Sequence, residues 1–338
     1  MDRSLRRPVS FARRAARALA LGLALTALAP LTGCVTNPAT GKAAFNLISE
    51  EQEIAIGSEA EPQFIAENGG VVASQAVRDY VTDLGQRLAA QSERPHLPWA
   101  FHVLDSPQIN AFALPGGKIF ISRGLVEKMT NEAQLAGVLG HEIGHVTAQH
   151  VNSRMSQSLL VQGVAVGAVI AGEVMDSDAL RVIGAGAGLG GGVYLLKFSR
   201  DQESESDMLG VRYMTTLGYN PYGQVQVMQI LKEAAGGGAG PEFFATHPLP
   251  QTRIERLEKL IAEKYPAAGL PDADNDAYGT RDNYRYDQRA FEQNVLAPLR
   301  GLPPAQAAHA FSVPHHALGC HHDHHSFSAA VTAPPPRP

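Results

Sequence analysis

The sequence predicts an α+β domain, mostly helical with a small sheet, and three patterns carry that prediction. Long stretches repeat apolar residues three and four apart, the period of a helix with one buried face. Three short apolar runs cluster between residues 99 and 122, the last two separated by Pro115-Gly116-Gly117. An apolar share of 44% in 338 residues is ample for one large core. The net charge of -5 provides no field for nucleic acid, and that class of partner is excluded.

The N-terminus reads first. Arg3, Arg6, Arg7, Arg13, Arg14 and Arg17 precede an apolar run from Ala18 to Leu31, the layout of a secretory signal. The run is shorter than the about 20 residues a spanning helix needs, and Pro30 and Gly33 interrupt it. It ends in Leu31-Thr32-Gly33-Cys34, which resembles the bacterial lipobox. That resemblance implies that residues 1–33 are removed and that Cys34 carries a lipid anchor. Val35 stands where the lipoprotein pattern has aspartate for inner-membrane retention, which implies the outer membrane, facing the periplasm. Cys34 and Cys320 are the only cysteines and differ in context, so no disulfide framework is expected.

Residues 34–48 are small and polar and read as a tether. The folded part opens at Ser49-Glu50-Glu51-Gln52, a capping box before a helix through Ile54 and Ile56. A second helix runs from about Ser74 to Ala90, with Val77, Val81, Leu84 and Leu88 on one face. Strands are expected at Trp99 to Leu104, Asn110 to Leu114 and Lys118 to Ser122, the last two forming a hairpin. A helix capped by Thr130 or Asn131 should continue past His150 for over twenty residues, since no proline interrupts it. Two apolar stretches between 159 and 196 read as a buried helical hairpin, too short to cross a bilayer comfortably. Helices follow at about 199–217, 224–235, 252–265 and 288–299. The expected organisation is a domain over 49–265, an extension over 266–300 and a histidine- and proline-rich tail from 301, which holds seven of the thirteen histidines.

The chemistry sits on the long helix, at His141-Glu142-Ile143-Gly144-His145. Residues four apart share a helical face, so both imidazoles can reach one zinc ion at about 2.0–2.1 Å. Glu142, one step round the helix, is placed to act as general base on water at that ion. A catalytic zinc needs a third protein ligand, and the acidic helix start after Ser199-Arg200 offers candidates. Glu203 and Asp207 share a face, so one can bind the ion while the other accepts the free N–H of a ligating histidine. Glu205 points about 160° from the middle of that face and is left to solvent or a salt bridge.

Five blocks now occur in a recognisable order: Ser49-Glu50-Glu51-Gln52-Glu53, Asn110-Ala111-Phe112-Ala113-Leu114-Pro115-Gly116-Gly117, His141 to His145, Ser199-Arg200 with Glu203 and Asp207, and Thr246-His247-Pro248 with Arg253. The order resembles the HtpX/BepA-type zinc metalloproteases, which include the CAAX prenyl proteases and the OMA-type mitochondrial proteases. A lipobox before such a domain is similar to the LoiP-like periplasmic lipoprotein members. The resemblance implies a zincin-type fold and one zinc ion per chain, with Glu203 as third ligand and Asp207 behind the histidines. It also implies that Asn110, Ala111 and Phe112 begin an edge strand on which substrate is laid. His247 would approach the metal, stabilising the oxyanion or filling the open position in a latent state, with Arg253 supporting it. The implied activity is endoproteolysis of unfolded or misassembled envelope proteins. No tetratricopeptide array follows and no strong membrane helices occur, which departs from BepA and HtpX respectively.

The tail cluster of His315, His316, Cys320, His321, His322, Asp323, His324 and His325 has metal-binding composition. It supports a rival reading, a non-proteolytic zinc lipoprotein acting as chaperone or metal carrier. The intact Glu142 opposes that rival, because a pure binder needs no base. Sequence alone leaves the oligomeric state open.

Overall fold

The computed structural model describes residues 34–158, 160, 198–235, 243–247, 251–268, 280–281 and 284–305. Residues 1–33, expected as a leader, the apolar stretches of 159–196 apart from Leu160, and the histidine-rich residues from 306 lie outside them.

The chain enters as a small antiparallel hairpin, β1 (Cys34–Thr36) and β2 (Ala43–Phe45), with Cys34 opposite Phe45. Its turn is held by Asn37, whose carbonyl accepts from Gly41 N and whose side chain accepts from Ala39 N. Gly41 supplies the left-handed φ of +70° the turn requires. The segment expected as a tether is thus an ordered element, because Asn37 is buried against residues far along the chain.

Helix α1 (Glu50–Glu67) starts with the capping box, Ser49 Oγ accepting from Gln52 N and Gln52 Oε1 from Ser49 N. Helix α2 (Gln75–Ala89) buries Val77, Val81, Leu84 and Leu88, each worth about 1.5–3 kcal/mol of transfer free energy. Next in the chain comes a three-stranded sheet of β3 (Ala100–Leu104), β4 (Ala111–Leu114) and β5 (Lys118–Ser122). Its order is β3-β5-β4, with β3 parallel and β4 antiparallel to β5, so β4 forms an edge. Strand alternation sorts the side chains. Phe101, Val103, Ala111, Ile119 and Ile121 face the main core with α2, while Leu104, Leu114 and Phe120 face Phe64 and Ile65 of α1.

After the short α3 (Arg123–Val126) comes α4 (Glu132–Thr147), buried at all sixteen positions and capped by Asn131, which accepts from Gln134 N. The helix does not run on past His150 as its pattern suggests. It stops at Thr147, Gln149 takes a left-handed φ of +56°, and a new helix, α5, covers 150–158. Neither proline nor glycine marks the break. Its carbonyls are taken by distant partners, Val146 O by Arg94 Nη1 and Ala148 O by Asn37 Nδ2, each at 3.1 Å.

Arg94 is a cross-tie. It is 2% exposed and also pairs with Glu53 of α1 at 2.6 Å, while Glu53 Oε1 accepts from Gly116 N in the β4–β5 turn. Glycine is required in that turn, since a Cβ on Gly116 would sit 2.7 Å from Ile54 Cα.

The helices that follow are α6 (Arg200–Thr216), α7 (Tyr222–Ala235), α8 (Phe243–Thr246) and α9 (Gln251–Lys264), and a last helical run joins α10 (Gln288–Phe291) to α11 (Ala297–Arg300) through a π-helical turn, Glu292–Leu296. A capping box at Ser199 opens α6 and Gly218, at φ +79°, follows its end. Among the described residues no helix is long and apolar enough to cross a membrane. The α+β class, mostly helical with small sheets, is the fold observed.

Candidate metal centre

Close backbone approach builds the site. A Cβ on Gly140 would lie 3.1 Å from Gly210 Cα, and one on Gly144 would lie 3.1 Å from Ser206 Cα. Without side chains at these crossings, α4 and α6 come near enough for acids on α6 to meet histidines on α4.

His141, His145, Glu203 and His247 are all buried, and one ligand atom from each lies within 4.8 Å of the others. His145 Nε2 is 3.1 Å from His141 Nε2 and 3.5 Å from Glu203 Oε1, and His141 Nε2 is 3.7 Å from Glu203 Oε2. A tetrahedral zinc would space its ligands about 3.3–3.4 Å apart, close to these separations. His247 donates its backbone N–H to Phe243 O at 2.8 Å, and its ring stacks on Phe243 at 4.3 Å. Phe198 closes the other side, its ring 4.0 Å from that of His145 and 5.1 Å from that of His247.

The surrounding groups hold these donors. Asp207 Oδ1 lies 3.0 Å from His141 Nδ1, which leaves Nε2 of that ring for an ion. Arg253, expected beside His247, sits against the acids: its Nε and Nη2 reach Asp207 at 2.8 and 2.7 Å, and its Nη1 is 2.5 Å from Glu203 Oε2. Gln224 adds a donor to Asp207 at 3.1 Å. Glu142 shows Oε1 to His247 Nε2 at 3.8 Å and borders a small apolar pocket lined by Val138, Val227, Met228, Leu231 and Phe243.

Charge tests whether a metal fits. Glu142, Glu203 and Asp207 are three buried carboxylates facing one buried guanidinium, that of Arg253. Burial would raise Asp207, but the Arg253 charge and the His141 bond outweigh it and hold the group well below the usual range. Burial pushes Glu203 well above the carboxylate range and Glu142 up to about 8. Burial also drives His141 down, and His145 and His247 well down, so all three rings are neutral and offer lone pairs. Neutral imidazoles and under-compensated carboxylates at this spacing fit a dication, which supplies the missing charge.

The sequence model of Peptidase family M48 matches residues 75–261, more than half the chain and every group named in this site. The chain belongs to peptidase family M48. It is 30% identical over 236 residues to the beta-barrel assembly-enhancing protease of Yersinia pestis, covering 68% of this chain and 48% of that one. The corresponding Escherichia coli K12 protein is 28% identical over 225 residues, 65% of this chain and 46% of its own. A mitochondrial metalloendopeptidase of Schizosaccharomyces pombe is 29% identical over 230 residues, 67% of this chain and 66% of its own. The chain spans about half the length of the bacterial relatives. What it holds is the M48 metallopeptidase unit.

In this M48 chain the structure brings together His141, Glu142, His145, Glu203, Asp207, His247 and Arg253. Asn110 stands just before β4 and Ala111 and Phe112 lie on it; that strand packs against α4, with the Phe112 ring against Phe64 of α1 at 4.3 Å. Cys34 opens β1, on the segment that touches the far end of α4. Sequence reasoning missed His150, whose Nδ1 is 3.1 Å from His145 Nδ1. On an unbroken helix a residue five further on lies about 140° round, so no periodic signal pointed to it. Glu205 makes a pair, as expected, but with His150 at 2.8 Å.

Proposed function

We propose that this chain is a zinc-dependent endopeptidase of the bacterial envelope, holding one zinc ion on His141, His145 and Glu203 and cutting unfolded or misassembled envelope proteins. The observation that carries the reading is the buried four-donor cluster with the Glu142 carboxyl beside it. When bound, the ion supplies positive charge that polarises a peptide carbonyl and acidifies a water.

The chain's own residues do the rest. Glu142, buried beside the donor cluster, takes a proton from the attacking water and passes it to the leaving amine. Asp207 fixes the tautomer and orientation of His141. Arg253 holds Glu203 and Asp207 in register and balances part of their charge. A substrate segment adds along the outer edge of β4, where main-chain hydrogen bonds bind extended chain with little sequence preference. His247 completes the donor set in a latent state and leaves it when substrate binds. Cys34 carries a lipid that keeps the protein on the outer membrane, facing the periplasm.

Caseinolysis by the purified chain, compared with Glu142→Gln and with chelator-treated protein, tests the reaction. Activity is expected from the zinc-loaded wild type alone, and His247→Ala should raise it. Equal activity in the wild type, Glu142→Gln and chelated samples would overturn the assignment.

A further inference from the structure

The two histidines of the motif are held in different ways. His141 meets a carboxylate directly through Nδ1, whereas His145 meets another imidazole. His150 sits there because of the break at Ala148–Gln149, which redirects the chain between α4 and α5.

The proton placement along this line follows from the partners. Two Nδ1 atoms at 3.1 Å share one proton, since one must donate and the other accept. With His145 Nε2 turned to the donor cluster, its Nδ1 carries hydrogen and donates to His150 Nδ1. The His150 proton is then on Nε2, which donates to Glu205 Oε2 at 2.8 Å. Ser206 Oγ, buried and 3.3 Å from His150 Nδ1, lines the same contact. Every bond in the chain has one donor and one acceptor, and the run ends on a carboxylate.

That carboxylate is also gripped from the N-terminal hairpin. Asn37 Nδ2 lies 3.1 Å from Ala148 O and 3.4 Å from Glu205 Oε2, joining the end of α4 to the relay. Lys42 Nζ lies 3.8 Å from Glu205 Oε1. Asn37 is 4% exposed and braces its turn by donating to Lys42 O and accepting from Thr40 N, Gly41 N and Ala39 N.

We propose that His150 and Glu205 are positioning residues that hold the His145 imidazole for the metal, and that the hairpin beginning at Cys34 closes this relay through Asn37 and Lys42. The segment next to the N-terminal cysteine is therefore part of the metal site's support. The inference rests on the zinc reading given above.

Zinc affinity of the full chain, measured by competition with a chromophoric chelator, tests it, together with the visible spectrum of the cobalt(II)-loaded protein. His150→Leu removes both bonds and should weaken zinc binding by about 10–100-fold while shifting the cobalt bands. His150→Gln offers an acceptor and a donor in place of the two ring nitrogens and should recover much of the affinity and the wild-type bands. Glu205→Gln and Asn37→Ala should each weaken binding less, with circular dichroism unchanged. They carry the test should His150→Leu not fold. Wild-type affinity and cobalt bands in His150→Leu, or in both Glu205→Gln and Asn37→Ala, would overturn the relay alone. His150→Gln binding no better than His150→Leu would also overturn it. A wild type that binds no zinc overturns the zinc reading and the relay together.

Discussion

Replacing Arg253 by leucine removes the guanidinium that faces Glu203 and Asp207 while keeping an apolar side chain in a site only 1% exposed. Removing one partner of a buried, hydrogen-bonded ion pair costs about 3–5 kcal/mol, because the remaining charge stays desolvated. For a unit of roughly 150–250 residues each kcal/mol moves Tm by about 2–4 °C, so the zinc-free variant should melt about 6–20 °C below wild type. Zinc changes the balance. A dication beside Glu203 restores counter-charge, so the deficit of the zinc-loaded variant should shrink to less than half. Arg253→Lys keeps a charge but not the planar fork that grips Asp207 with two nitrogens, and should fall between. Differential scanning calorimetry with and without zinc measures this directly. A drop under about 1 kcal/mol in the zinc-free protein, or an equal drop in both states, would refute the charge argument that makes the cluster a metal site.

Gly210→Ala should destabilise by about 1–3 kcal/mol in chemical denaturation, since its Cβ would sit 2.9 Å from His141 N and force α4 and α6 apart; wild-type stability would show that the helices can yield. Glu142→Gln should retain one zinc per chain by elemental analysis while caseinolysis falls about 10²–10⁴-fold, and lost metal would place Glu142 among the ligands. Tyr219 donates to Glu132 at 2.6 Å, and burial first, then the Glu132 charge, push its phenol up to about 12. Its folded value thus exceeds the unfolded one near 10. The stability it contributes is present below pH 10 and is lost as pH rises towards 12. Tyr219→Phe should flatten that alkaline loss, and an unchanged slope would assign it to other groups.

Legibility in the sequence followed the range of the interactions. The caps at Ser49, Asn131 and Ser199 and the face of Val77, Val81, Leu84 and Leu88 depend on neighbours within four residues, and they stood out. So did the pairing of His141 with His145 and the likeness that named Glu203. The break after Thr147 did not. It is imposed by Arg94, from over fifty positions upstream, and by Asn37, from over a hundred, on a segment whose own residues favour helix. His150 was hidden with it, because its role exists only once the chain is bent. The hairpin at 34–45 reads as a polar tether for a similar reason. Its burial comes from Ala148 and Glu205, which nothing local announces.

The Arg94 tie carries a last consequence. One side chain grips α1, reaches the β4–β5 turn through Glu53, and holds the carbonyl at the end of the helix bearing both histidines. Strand edge and ligand helix are therefore mounted on the same bracket. The spacing of the two is thus fixed at this end. On the proposed reading, a strand edge held at one distance from the metal sorts its clients mechanically. On that reading an extended strand can lie along the edge and a folded domain cannot, so a client's own stability determines whether it is cut.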